Sequence, residues 1–384
     1  MPGTRAAQGH CQAHLEPLRD CFERLLDESE LGASLAVTQD GEPVLDLWGG
    51  HADEARQRPW EHDTLTPVWS TTKTMTSLAA LLLVDRSELA LDAPVARWWP
   101  EFAAAGKGDV RVRHLLSHSS GLAGWDQALT LPQLCDWDDC VARLAAQAPW
   151  WAPGTASGYH VWTYGFLVGE LVRRITGLRT GEFLRRELFT PLGCDFHIGL
   201  PPEAALRVSR VVPPPAVPMD LSSMDPASVA FRTMTNPVPD ATVSWRDDWC
   251  RADIGAANGH GHARAVALVQ TVMANRGETA GRRVLAERTV DDALALQVDG
   301  VDLVLGAPLR WGAGWGLSTP ATFPFIPPGR IALWGGWGGS MVLADADRRL
   351  CMAFVMNRMA GTALGGPSAA ILATELYRLL GAGT

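Results

Sequence analysis

"VWSTTKTMTSLAALLLVDRSEL", Val68 to Leu89, holds one of only two lysines in a chain of 384 residues, the other being Lys107. Arginine supplies the positive charge elsewhere, so the retention of Lys73 asks for a chemical reason. Apolar residues recur at helical spacing from Ser70 to Leu89, which predicts a helix with Ser70 in its first turn. Lys73, three residues on, then falls on the same face. A serine hydroxyl is a poor nucleophile until a base takes its proton, and a neighbouring amine can do so once burial lowers its pKa. The positive helix end disfavours the ammonium and offers the Ser70 amide to an oxyanion. Guanidinium does not deprotonate near neutral pH, so Arg cannot stand in. The plainer alternative is a capping serine followed by a surface lysine, but the helix beyond Lys73 is too apolar to be exposed.

Outward from this helix, "ASLAVTQDGEPVLDLWGG" reads as two β-prone runs joined at Asp40-Gly41, a hairpin. An amphipathic helix is expected around Leu15 to Leu31, and another in "YGFLVGELVRRITG", stopped by Gly177. "RWGAGWGLS" and "RIALWGGWGGSMVLADADRRLCMAFVMNRM" read as consecutive antiparallel strands, and "SAAILATELYRLLGA" as a closing helix. The expected fold is α/β in the α+β sense. One antiparallel sheet is built from residues 1–90 and 250–384, and a mostly helical domain, 91–249, is inserted between them. Proline crowds residues 200–240 and removes ladder donors and helix interiors there, so a long surface connection rimming a cleft is expected.

Beside Ser70 and Lys73, two further motifs follow in order: "PGTASGYHVWTYGFLVGEL" and "LWGGWGGSM". Together they make the chain resemble the serine β-lactamases and penicillin-binding proteins, and within them the class C-like esterases called family VIII carboxylesterases. The resemblance runs from the first hairpin through "VRHLLSHSSGL" to the last strand. It implies a β-lactamase/transpeptidase-like fold. It also implies that Tyr159 works with Lys73 to move protons off Ser70, to the leaving group and from water. A phenol is a base only where a cation stabilises its phenolate, which Lys73 would supply. The family's K-T-G strand corresponds to Trp334, Gly335 and Gly336, whose glycines would let substrate lie against the backbone. The Trp337 amide would complete the oxyanion hole with that of Ser70.

Two departures bear on substrate. Trp334 stands where the family lysine attracts a substrate carboxylate, and Val161 where an amide contacts an acylamino group. An apolar pocket desolvates an anion without a compensating pair, so a neutral ester suits it better. Trp69 and Trp125 are further candidate pocket residues, favouring aromatic or short acyl groups. "SHSSGL", His118 to Leu122, reads as a structural turn, and the absence of G-x-S-x-G counts against a Ser-His-Asp elbow.

Composition sets outer bounds. A net charge of -9, with arginines scattered singly, offers no track for a phosphate backbone, so nucleic acid is not expected as a partner. The longest apolar run, Leu78 to Val84, is far short of the ~20 residues of a membrane span. Charges and His run through the N-terminal stretch where a secretory signal carries an apolar core, and the expectation is a cytoplasmic protein. The seven cysteines include no C-x-x-C pair and are expected to be free thiols. His260 and His262 fit a helix-start loop better than a metal site, and no metal or cofactor is expected. The function expected is a serine carboxylesterase. Amide or lactam hydrolysis, acyl transfer and a non-turnover acyl-binding protein remain alternatives on the same scaffold. The sequence accommodates a monomer or a homodimer alike.

Overall fold

The computed structural model describes residues 6–215 and 224–381. Three N-terminal strands, β1 (Gln8–Cys11), β2 (Gly32–Gln39) and β3 (Glu42–Gly50), join six C-terminal ones: β4 (Val298–Val301), β5 (Pro308–Trp311), β6 (Gly316–Leu317), β7 (Ile331–Gly335), β8 (Met341–Asp345) and β9 (Leu350–Met356). They form one sheet in the order β1-β3-β2-β9-β8-β7-β6-β5-β4, with antiparallel neighbours throughout. The two ends of the sequence meet where β2 pairs with β9. Both central strands are buried along almost their whole length, because helices cover the sheet on both faces.

The hairpin forms as its turn residues dictate. Asp40 and Gly41 both take positive φ, 53° and 88°, the twist that joins right-twisted strands in two residues. Helix α1 (Glu16–Glu28) packs on β3 and on the closing helix α5 (Pro367–Leu379). Helix α4 (Ala263–Ala274) lies on β2, β8 and β9, tied there by the Ala263 N–H to Ser34 Oγ at 3.0 Å and by the Thr38 and Thr271 hydroxyls at 2.6 Å. His262 caps α4, its Nδ1 accepting the Ala265 N–H at 3.1 Å, while His260 lies in a short strand, Gly259–Gly261, rather than in the expected loop.

Helix α2 (Thr72–Asp85) and helix α3 (Thr163–Thr176) form the seam between the sheet and the inserted helices. Every α2 residue from Thr72 to Leu83 is buried, so this helix is enclosed on all sides rather than one-sided, with its polar residues gathered in the first half. The C-cap of α3 is Gly177 at φ 75°, as its sequence requires. The proline-rich connection is not wholly irregular: it contains a short helix, Val229–Met234, started by the Ser228 side chain accepting the Phe231 N–H. Residues 216–223 of that connection lie outside the described residues.

Candidate active site

Ser70 sits in a tight 3-10 turn, Trp69–Thr71, that leads into α2. Trp69 takes φ 47°, a left-handed conformation that costs a non-glycine residue ~1 to 3 kcal/mol and needs support. Ser340 provides it. Its hydroxyl donates to the Val68 carbonyl at 2.8 Å and so receives the Thr71 hydroxyl at 3.0 Å. The strand end reaches this turn because residue 336 is glycine: a Cβ there would lie 2.3 Å from both Ser340 Oγ and the Val68 carbonyl oxygen.

Lys73 is buried at 1% exposure, one turn below the serine. Its Nζ meets Ser70 Oγ at 3.1 Å, the Val161 carbonyl at 2.8 Å and the Ala256 carbonyl at 2.9 Å. The Ala256 carbonyl gets there because the 255–256 backbone presses between α2 and α3. A Cβ on Gly165 would lie 2.5 Å from Ala256 N, and one on Gly255 2.6 Å from Thr76 Oγ1. Burial without any carboxylate partner holds the lysine pKa well below its ordinary 10.5. A neutral amine has two N–H groups and one lone pair. In that form the two carbonyls take the N–H groups and the lone pair is left toward Ser70 Oγ, whereas an ammonium would donate to Ser70 Oγ as well.

Tyr159 stands across from Lys73, its ring centroid 4.7 Å from Nζ. Its hydroxyl bonds to Ser70 and accepts the Trp334 indole N–H at 3.0 Å. Burial raises the Tyr159 pKa above the ordinary 10, with the Trp334 N–H opposing. The tyrosine backbone is fixed by Asp302, whose Oδ1 accepts the Tyr159 N–H at 3.0 Å together with those of Val304 and Leu305. His118 supports it from behind: its Nδ1 accepts the His160 N–H at 3.0 Å and its ring centroid lies 4.9 Å from the tyrosine's. Burial drives the His118 pKa well below 6.5, so the ring is neutral, in keeping with a structural turn.

Ser70 opens into a cavity of about 500 Å³. Trp69, Val161, Trp162, Leu305 and Trp337 line it, and the proline-rich connection contributes Pro214, Pro215, Met234, Val238 and Pro239. Among the described residues none of the lining side chains is charged. The Gly336 and Gly338 amides bond to the Ser340 and Thr362 carbonyls, and among the described residues no acceptor takes the Trp337 amide between them.

The structure therefore brings together Ser70, Lys73, Tyr159, Val161, Trp69 and Trp337. It places four other expected site residues outside the cavity lining. Trp334 is buried behind Tyr159 and does not line the cavity, and Trp125 is buried against Phe166 with its N–H on the Cys140 carbonyl. Gly335 and Gly336 also lie outside the lining: Gly336 clears the nucleophile turn, and a Cβ on Gly335 would meet the Gly365 backbone at 2.3 Å. Val161 contributes its carbonyl to Lys73 as well as an apolar side chain. Ser340, Asp302 and Ala256 escaped sequence reasoning. The last acts through its backbone, and the first two are single polar residues with no periodic signal.

This arrangement, a serine and lysine at a helix start faced by a tyrosine on the seam between a sheet and inserted helices, defines an active-site serine enzyme scaffold. The chain matches the Beta-lactamase family over residues 18–374 and belongs to it. It is similar to Esterase/beta-lactamase LipL of Mycobacterium tuberculosis, 35% identical over 343 residues that cover 85% of this chain and 77% of that protein. Among solved structures it is similar to a family VIII carboxylesterase, 36% identical with a TM-score of 0.90 over 97% of this chain and 99% of that one. A penicillin-binding protein homologue from Caulobacter crescentus is 39% identical, with a TM-score of 0.89 over 97% of this chain and 99% of the other. These neighbours carry the β-lactamase/transpeptidase-like fold that the motifs imply.

Proposed function

We propose that this protein is a serine carboxylesterase that cleaves neutral esters with short or aromatic groups through a Ser70 acyl-enzyme. The observation that carries the reading is the setting of Lys73: buried, without an anionic partner, and with two carbonyls on its N–H groups, it presents a free lone pair to Ser70. Lys73 takes the hydroxyl proton as Ser70 Oγ forms its bond to the ester carbon. The Ser70 and Trp337 amides hold the oxyanion. As the ester C–O bond breaks, Tyr159, which burial keeps protonated, gives its proton to the departing alkoxide. The proton left on Lys73 restores Tyr159. Water then repeats the sequence on the acyl-enzyme, with Lys73 as its base.

The uncharged cavity supports the substrate class, since a carboxylate entering it loses its hydration without gaining a cation. The names of the similar proteins, esterase and carboxylesterase, agree with ester hydrolysis. The test is a matched pair of esters, p-nitrophenyl butyrate and the same ester bearing a terminal carboxylate on its acyl chain, with butyryl p-nitroanilide as the amide. The neutral ester should exceed the anionic one in kcat/KM by about tenfold or more, equivalent to ~1.4 kcal/mol, and should exceed the anilide as well. A preference for the anionic ester or for the anilide would reject the reading.

A further inference from the structure

We propose that Trp334 is a positioning residue that fixes the direction of proton transfer, holding Tyr159 as the acid and Lys73 as the base. This rests on the acyl-enzyme reading above and adds to it an assignment of which group gives and which takes.

Hydrogen counting carries the argument. An indole N–H donates and has no acceptor to offer, so the Tyr159 oxygen must accept at 3.0 Å from Trp334. At the other end, the two carbonyls of Val161 and Ala256 accept from Lys73 and leave its neutral form one lone pair, which only the Ser70 proton can fill. Ser70 has a single hydrogen. With Lys73 neutral and that hydrogen committed to it, the phenol is the donor left for the contact between Ser70 and Tyr159. With Lys73 neutral the chain runs one way, from Trp334 N–H to Tyr159 O–H to Ser70 O–H to the Lys73 nitrogen. Trp334 carries no charge, so unlike a cation at this position it gives little help to a phenolate, and Tyr159 is better suited to give a proton than to take one.

The indole is held for this purpose. It is 2% exposed, packs against Trp311 at 4.5 Å and Tyr159 at 5.0 Å between centroids, and has room because a Cβ at Gly316 would lie 3.1 Å from its ring. Neither the cavity lining nor any contact with Ser70 explains an indole N–H aimed at Tyr159.

The test uses leaving groups. A p-nitrophenolate departs as a stable anion and needs no acid, whereas the benzyl alkoxide of benzyl butyrate must be protonated as it leaves. Trp334→Phe removes the donor but also some packing. Benzothienylalanine at position 334 keeps the ring shape and removes only the N–H, so a folded protein is available for the comparison. Both variants should lose roughly tenfold or more in kcat/KM on benzyl butyrate, and less than about threefold on p-nitrophenyl butyrate. Equal losses on the two esters, or none, in the benzothienyl variant would overturn the assignment. Tyr159→Phe is the control for the reading beneath it. If that variant loses both esters alike, Tyr159 is not the acid and the underlying mechanism fails. If it shows the selective loss and the position 334 variants do not, only the role of Trp334 fails.

Discussion

The two lysines of this chain are held differently, and the difference separates a structural amine from a chemical one. Lys107 Nζ donates to three carbonyls, those of Ala104, Ala145 and Gln147, which suits an ammonium with three donors. Lys73 meets two carbonyls and a hydroxyl, which suits an amine about to take a proton. Its pKa is lowered by burial, so the base form is populated above that lowered value and lost as pH falls through it. The kcat/KM profile should therefore rise with pH through a midpoint well below 10.5. Tyr159, raised by burial, gives no descending limb until above pH 10. A rising limb centred at 10 or higher, read from initial rates on p-nitrophenyl butyrate, would contradict this. Lys73→Arg keeps the charge and removes the base, and should lower kcat by about 10² to 10⁴. A variant that retained a tenth of the activity would show that the proton goes elsewhere.

At the scale of elements, the site depends on the loop between β4 and β5 as much as on α2. Asp302 there uses one carboxylate oxygen to accept the Tyr159, Val304 and Leu305 amides. Asp302→Ala leaves those donors buried without an acceptor, at a cost of about 2 to 4 kcal/mol. Asp302→Asn keeps an oxygen in place and should lose less than half as much in denaturant unfolding. Equal stability in the two variants would place the support for Tyr159 elsewhere. The same contrast explains what the sequence could disclose. Strand alternation around Asp40-Gly41, the helical spacing beyond Ser70 and the order of the three motifs made the sheet, the seam helix and Ser70, Lys73 and Tyr159 legible, because each rests on periodicity or on a chemically exclusive residue. Asp302, Ser340 and the Ala256 carbonyl are tertiary meetings between segments far apart in sequence, with no local pattern. Trp334 was expected in the pocket and lies behind Tyr159 instead, since strand position does not say on which side of Tyr159 an indole will lie.

Across the whole molecule, buried histidines tie stability to pH. His160 and His262 are held down at about 3 and His260 at about 4, chiefly by burial, and His118 is lowered as well. Unfolded rings take protons near ~6.5, so the unfolded state binds more of them as pH falls, and stability is lost below that point at roughly 2 kcal/mol by pH 5 for each of His160, His262 and His260. Glu30 and Asp253, raised by burial to about 7 and about 6, act in the opposite sense and offset more than half of this. The unfolding free energy in guanidinium should therefore fall by ~2 kcal/mol between pH 7 and pH 5. A flat or rising profile would mean that these rings are not buried neutral. Among the described residues no helix is long and apolar enough to cross a membrane.

The central claim is that Ser70 forms a covalent acyl-enzyme that then turns over. Intact-mass spectrometry of wild type and Ser70→Ala after mixing with p-nitrophenyl butyrate, with released nitrophenol followed in parallel, tests it most directly. The account predicts turnover in the wild type with a transient gain of one butyryl mass, and neither the adduct nor turnover in Ser70→Ala. Comparable activity or acylation in the variant would contradict it, and with it the mechanism built on Lys73 and Tyr159.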